Sequence, residues 1–317
     1  MSRTIILDIW AGDWGLPSVD LKCLEVMAYA VFSGIPFSTQ VTNNPFKTPH
    51  GELPVCRTGK IVLINISDFK NYFRKLNMYA DAMLSEEQCA DVSAYNEILK
   101  EMLYPALLYV WWLSERNYEG LTRPWYARAL PFPLHFYYPQ RYHADARAKL
   151  EALGAASEDA VYSEAKKCLT MLSHRLGDKQ FLFGNHPSSL DATLYAHLAP
   201  LLKAPFPEAK LQNHLKGCTN LVKFIERVSQ RYFTDAWYGY LSNPSPKQTE
   251  RDRDTGQCSS ESELFSPYKN TVFAGLFATV AMLLYAFGKG IIQVSTEQDD
   301  NPASYEDLPE ESAEPER

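Results

Sequence analysis

The sequence lacks the residue pairs and motifs that mark most metal-binding, nucleotide-binding or disulfide-stabilised chains. Its six cysteines lie far apart with no Cys-x-x-Cys pair, and its seven histidines form no metal-ligand or catalytic-triad spacing. It has no Gly-x-Gly-x-x-Gly run and no phosphate-binding P-loop. These absences favour free thiols in a reducing compartment and argue against a metal centre or a nucleotide cofactor. The first ten residues match neither a secretory signal nor a transit peptide.

The chain also lacks an excess of positive charge. Its net charge is −7, and the nine acidic residues and one arginine after position 294 give that tail a charge of −8. The rest of the chain therefore carries +1, which provides no basic field for nucleic acid. We predict no nucleic-acid partner and no cofactor.

One long apolar run stands just before the acidic tail, with eighteen uncharged residues in succession. As a helix it would extend roughly 27 Å, close to the thickness of a bilayer's hydrocarbon core. The residues that define this run and its end are Thr271, Gly275, Thr279, Gly288 and Lys289. The sequence predicts a flexible linker over 242–269, a membrane anchor over 270–294 and an acidic tail over 295–317, with the body facing the cytosol. The alternative is a buried helix of a globular domain.

Residues 1–80 have the alternation of a small α/β unit. Short apolar runs predict four strands, and helical periodicity predicts two helices, in the order βαβ–ββα with the first two strands parallel. The predicted strands are Ile5–Ile9, Phe37–Val41, Val55–Thr58 and Ile61–Ile64. Because Pro54 directly precedes the third strand, as in thioredoxin-like domains, we predict that the Leu53–Pro54 peptide bond is cis.

Residues 81–241 show helical periodicity and no strand signal, so we predict an all-helical second domain. Two helix starts carry capping patterns, which are Ser85 with Gln88 and Ser188 with Asp191. The apolar face over 92–111 predicts one long helix that is kinked at Pro105.

A thioredoxin-like unit followed by an all-helical unit resembles the glutathione-transferase architecture. The Phe181–Gly184 box and the Ser188–Asp191 cap are similar to that family's signature around a central helix. Narrower motifs resemble the metaxin family, and these are Trp10, Trp14-Gly15-Leu16-Pro17-Ser18-Val19, Arg123-Pro124-Trp125-Tyr126 and Pro131-Phe132-Pro133-Leu134. With the C-terminal run, the resemblance to the metaxins covers nearly the whole chain.

This resemblance implies a subunit of the sorting, assembly and import machinery of the mitochondrial outer membrane. The partners it implies are a second metaxin, the barrel-forming core that assembles β-barrel proteins, and complexes that bridge the outer and inner membranes. The lipid bilayer is a further partner through the single span. Two alternatives stay open: a tail-anchored glutathione-dependent transferase or peroxidase, and an adaptor between the organelle and cytosolic machinery.

The catalytic residues of a glutathione transferase are not matched. Such an enzyme holds the thiolate with Tyr, Ser or Cys just after the first strand, whereas this loop presents Asp13, whose charge opposes a thiolate. We interpret Ser18 as the cap of the first helix. Asn65–Ser67 replaces the family's Glu/Gln–Ser pair, with Ser67 as a candidate helix cap, and Cys23 comes too late in the chain. We predict no catalytic, cofactor-binding or metal-binding residue.

The aromatic stretch 123–143 is the candidate partner surface. It mixes aromatic side chains, prolines and arginines, a composition typical of binding hot spots. The candidate residues are Arg123, Trp125, Tyr126, Phe132, Phe136 and Tyr137. The alternative is a loop that covers the helical core. Trp10 and Trp14 form a second candidate surface, for which core packing is the favoured interpretation.

Overall fold

The computed structural model describes residues 5–44, 47–154 and 157–236, together with Thr279 and Met282. The chain divides into two compact units, Met1–Thr249 and Glu250–Arg317. Every strand and helix given below belongs to the first unit. The domain boundary near residue 80 stays a sequence prediction, since the sheet and the helices fall within this one unit.

The described part of the chain contains no helix that is both long and apolar enough to cross a membrane. The predicted anchor lies outside the described residues apart from Thr279 and Met282, which are both helical. The predicted linker and acidic tail also lie outside them.

Four strands form a single sheet in the order β2-β1-β3-β4. The strands are β1 (Ile5–Ile9), β2 (Phe37–Val41), β3 (Val55–Thr58) and β4 (Ile61–Leu63). Strand β1 pairs parallel to β2 with Ile5 opposite Phe37, and antiparallel to β3 with Leu7 opposite Cys56. This arrangement confirms the predicted thioredoxin-like sheet, and β4 ends one residue earlier than predicted.

The described residues contain eleven α-helices in addition to this sheet. They are α1 (Leu21–Phe32), α2 (Ile66–Lys75), α3 (Glu86–Ile98), α4 (Tyr104–Leu108), α5 (Glu115–Asn117), α6 (Arg123–Ala129), α7 (Leu134–Ala152), α8 (Glu158–Leu176), α9 (Ser189–Lys203), α10 (Lys210–Gly217) and α11 (Thr219–Tyr232). The helices from α3 onward confirm the predicted all-helical part. Most of the segment 123–143 is helical, in α6 and the first part of α7 with a turn over 130–133, so the alternative of a covering loop was wrong.

The predicted long helix with one kink is instead interrupted by π-helical turns. Leu99–Leu103 lies within it and Tyr109–Leu113 at its end, and a third such turn, Tyr118–Thr122, follows Ser114, whose backbone is extended. We infer that a proline causes two of these turns. The N–H of Tyr104 bonds five residues back to Leu99 just before Pro105, and the N–H of Arg123 does the same just before Pro124. Because proline has no N–H and its ring crowds the carbonyl four residues earlier, a wider turn accommodates it without breaking the helix.

Helix α9 is the centre of the core. Every residue from Ser189 to Leu201 is buried, and α1 packs directly against it. The hydroxyl of Thr193 on α9 donates to the carboxylate of Glu25 on α1 at 2.9 Å. The sheet-bearing part and the helical part therefore share one hydrophobic core.

Candidate functional site

A glutathione transferase carries its thiolate-binding residue in the loop after its first strand. In this chain the loop after β1 packs into the core. Trp10 and Trp14 are 2% and 6% exposed. Trp14 has a positive φ of 52°, an unfavourable conformation for a large residue, and its N–H donates to the Asp13 carboxylate at 2.7 Å. Gly12 is required by the tight turn, because a Cβ there would lie 2.3 Å from the Leu16 carbonyl oxygen. The core-packing interpretation of both tryptophans is therefore correct.

Asp13 has a partner that the sequence could not indicate. Its second carboxylate oxygen accepts a hydrogen bond from the indole Nε1–H of Trp125, 112 positions away, at 3.0 Å. The ring of Trp125 packs 6.3 Å from Trp14. The Lys203 ammonium donates to the Gly15 carbonyl and to the Ser229 hydroxyl, and burial lowers the pKa of Lys203 to about 8. Contacts with distant helices thus hold the whole loop in place.

Two of the six candidate partner residues are core residues. Trp125 and Tyr126 are 5% and 6% exposed. Tyr126 packs between Trp10, at 5.4 Å between ring centroids, and Trp112, at 5.1 Å. The prediction that they belong to a partner surface was therefore wrong, because both side chains lie on the side of α6 that faces the core.

The other four candidates are exposed. Phe132 lies in the turn between α6 and α7, and Phe136 and Tyr137 lie in the first turn of α7; the three are 63%, 63% and 56% exposed. We call these three residues the aromatic tip. Arg123 lies apart from them at the start of α6, where it pairs with Glu119 at 2.8 Å. The peptide bonds Leu53–Pro54 and Phe132–Pro133 are both cis.

A cleft of about 790 Å³ lies beneath Pro54, between α1, the start of α2, α4, α7 and α9. At its edge Asn65 precedes α2 without capping it, and the Asn65 amide donates to Asp68 instead. Ser67 lies inside the helix, so the suggestion that it caps α2 was wrong. The cleft therefore has Asn65 and Ser67 at the edge formed by the start of α2.

Four titratable groups in or beside the cleft are held in their neutral forms by burial. Burial raises the pKa of the Tyr104 and Tyr126 hydroxyls and raises that of the Cys23 thiol well above its usual range. Burial also lowers the pKa of His197, whose Nδ1–H donates to the Thr193 carbonyl at 2.7 Å. At neutral pH these groups provide neither a thiolate nor a phenolate.

Two of the lysines that line the cleft form ion pairs with glutamates. Lys22 pairs with Glu52 at 3.1 Å, and Lys70 pairs with Glu25 at 3.3 Å.

The start of α1 differs in one detail from the prediction. Its N-cap is Asp20, whose carboxylate accepts from the Cys23 N–H at 2.9 Å, and Ser18 is not the cap. Ser18 lies two residues upstream and accepts from the Asp20 N–H at 3.4 Å. Both residue types cap helices well, so the sequence alone left this choice open.

The cap of α9 joins the helix start to the box at Phe181–Gly184. Ser188 Oγ accepts from the Asp191 N–H, and the Asp191 carboxylate accepts from the Ser188 N–H at 2.8 Å and the Leu182 N–H at 2.9 Å. All three residues are buried. Of the predicted anchor residues, Thr271, Gly275, Gly288 and Lys289 lie outside the described residues, and Thr279 is helical.

Comparison with known proteins identifies the family. A family model for an outer mitochondrial membrane transport complex protein matches residues 23–143, and a model for the glutathione S-transferase C-terminal domain matches residues 165–228. The chain is 38% identical to metaxin-1 of Macaca fascicularis, with 93% of each chain covered. It is 40% identical to metaxin-3 of Danio rerio, over 74% of this chain and 78% of that one.

More distant similarities extend to a nematode and to solved transferases. A metaxin-1 homolog of Caenorhabditis briggsae is 30% identical, with 92% of this chain and 98% of that one covered. A solved apo structure of glutathione S-transferase III is 16% identical, covers 77% of this chain and 98% of its own, and gives a TM-score of 0.46. On the sequence relatives and the matched transport-complex model, the chain belongs to the metaxin family and has an import-related role at the mitochondrial outer membrane.

Proposed function

We propose that the chain is a non-enzymatic subunit of the sorting, assembly and import machinery of the mitochondrial outer membrane. In this role it handles β-barrel precursors together with a second metaxin and the barrel-forming assembly core. It also contributes to complexes that bridge the two mitochondrial membranes. Its predicted span over 270–294 holds it in the outer membrane with the body in the cytosol.

The observation that carries the non-enzymatic part is the state of the loop after β1. A transferase needs a hydrogen-bond donor here to lower the pKa of the glutathione thiol. In this chain Trp10 and Trp14 are buried, and the Asp13 carboxylate accepts from Trp14 and Trp125. A carboxylate at this point would repel a thiolate rather than stabilise it.

The persistent cleft is the observation that favours the alternative, a glutathione-dependent enzyme, and a titration separates the two. We expect no heat of binding when glutathione is titrated to millimolar concentration into the full chain in detergent. The reason is that the γ-glutamyl-binding pair and the thiolate donor are both absent from the sequence positions where the family places them. A glutathione transferase in the same buffer is the positive control. Micromolar binding, followed by turnover of an electrophile or a peroxide, would overturn the proposal.

The assembly role predicts a selective defect in mitochondria that lack the chain. We expect slower assembly of a newly imported outer-membrane β-barrel protein, with normal import of a matrix precursor in the same preparation. Re-expressed wild-type chain should restore assembly and should co-purify with a second metaxin and the barrel core. Equal slowing of both precursors, or normal β-barrel assembly, would contradict this role.

A further inference from the structure

The aromatic tip projects three large side chains into solvent at one turn of the fold. Phe132 and Phe136 are each 63% exposed and Tyr137 is 56% exposed. The ring of His135 joins the two phenylalanines, at 5.7 Å from Phe132 and 3.9 Å from Phe136 between centroids. The following Tyr138 is only 2% exposed, so the tip is held at the start of a well-packed helix. The exposed aromatic area is therefore fixed in place by the fold.

The chain segment that carries the tip contributes positive charge and no negative charge. Between Glu119 and Asp145 the chain has no acidic residue, while it has Arg123, Arg128 and Arg141. Arg123 and Arg141 pair with the two flanking acids, so neither leaves an unpaired charge. Arg128 is exposed and has no ion-pair partner within the described part of the chain. The segment thus combines three exposed aromatic rings with the exposed cation of Arg128.

We propose that the aromatic tip, with Arg128, inserts into the headgroup region of a phospholipid bilayer that contains anionic lipid. Aromatic rings concentrate at the boundary between headgroups and acyl chains, and arginines beside them bind lipid phosphates. The family acts at the mitochondrial outer membrane, and the predicted span would hold the body next to that bilayer. This contact goes beyond the proposed function and rests on it only for the predicted span that brings the body to the bilayer.

The size of the tip favours a bilayer over a protein as its occupant. A stable protein interface takes about 20–30 residues from each side around a buried centre. Here only three apolar side chains project, which suits shallow insertion between headgroups. One shallow contact gives weak membrane binding, and stable attachment takes a second signal. The tip therefore orients the folded body on the membrane surface, and the predicted span attaches that body to the membrane.

Photo-crosslinking in reconstituted vesicles tests this contact directly. The full chain carries the photoreactive residue p-benzoylphenylalanine in place of Phe136 and is reconstituted into phosphatidylcholine vesicles with or without phosphatidylserine. A trace of fluorescent phospholipid reports lipid adducts after irradiation. Matched chains carry the probe in place of Met83, which is 81% exposed, or Leu153, which is 49% exposed. We expect several-fold more lipid adduct at position 136 than at either control position.

An arginine variant tests the charge part of the proposal. Because one cationic residue near an anionic surface changes the membrane affinity about fivefold, Arg128→Gln should lower the lipid adduct at position 136 in anionic vesicles by up to that factor. It should leave the adduct in neutral vesicles unchanged. Equal lipid adduct at positions 136, 83 and 153 would overturn the proposal. So would an adduct at position 136 to protein instead of lipid, which would make the tip a protein-binding surface.

Discussion

Asp191→Ala is expected to lower the free energy of unfolding by about 2–5 kcal/mol, which is a large share of a typical domain's stability. The carboxylate accepts from the N–H groups of Leu182 and Ser188 and from the Ser188 hydroxyl at 2.6 Å. Alanine would leave two buried N–H donors without acceptors, at about 1–3 kcal/mol each. Burial raises the pKa of Asp191 to about 6, so the group is mostly ionised at neutral pH and accepts all three bonds. Urea unfolding of the full chain in mild detergent, followed by circular dichroism, measures the change.

The chain contains its own matched control for this prediction. Ser85 and Gln88 form the same reciprocal cap at the start of α3, but on the surface. Ser85→Ala should therefore lower the free energy of unfolding by only about 1 kcal/mol. If Asp191→Ala costs no more than Ser85→Ala, the buried cap does not hold the central helix in the way we infer.

Trp125→Ala is expected to lower the free energy of unfolding by about 3–5 kcal/mol, because it opens a cavity in the core. It also removes the indole donor to Asp13 and the ring contact with Trp14. Trp125→Phe keeps most of the packing and loses the hydrogen bond, so we expect a smaller loss of about 1–2 kcal/mol. The same urea unfolding experiment compares the two variants.

Phe136→Ala provides the contrast within the same aromatic stretch. Its side chain is exposed, so its replacement should change the free energy of unfolding by no more than about 0.5 kcal/mol. A Trp125→Ala chain that keeps the wild-type unfolding midpoint while losing a partner would return Trp125 to the partner surface. Loss of partner binding in step with loss of folded chain would instead support its place in the core.

Local signals in the sequence predicted the elements well. The short apolar runs predicted the four strands of the sheet, and only the end of β4 differs, at Leu63 instead of Ile64. Helix starts at Glu86 and Ser189 follow serines whose side chains bond within three residues. Such signals depend on neighbours in the chain, so no tertiary information is needed to recognise them.

The features that sequence reasoning missed depend on distant contacts. Nothing in the sequence placed Asp13 beside Trp125, which lies 112 positions away. Nor did it show the π-helical turns at Leu99–Leu103 and Tyr118–Thr122, since these wider turns require the surrounding helices to pack around Pro105 and Pro124. The choice between Ser18 and Asp20 as the cap of α1 also required the structure.

The sequence by itself determined the order of strands and helices, the cap at Ser188 and Asp191, the apolar run over 271–288 and the resemblance to the metaxins. It did so because periodicity, capping and composition are properties of short segments. Only the tertiary structure decided which aromatic residues of the stretch 123–143 are core and which are surface. Aromatic side chains of similar size are buried on α6 and both buried and exposed on α7, and burial depends on which side of a helix faces helices and loops far away in the chain. The fold therefore assigned Trp125 to the core and Phe136 to the solvent.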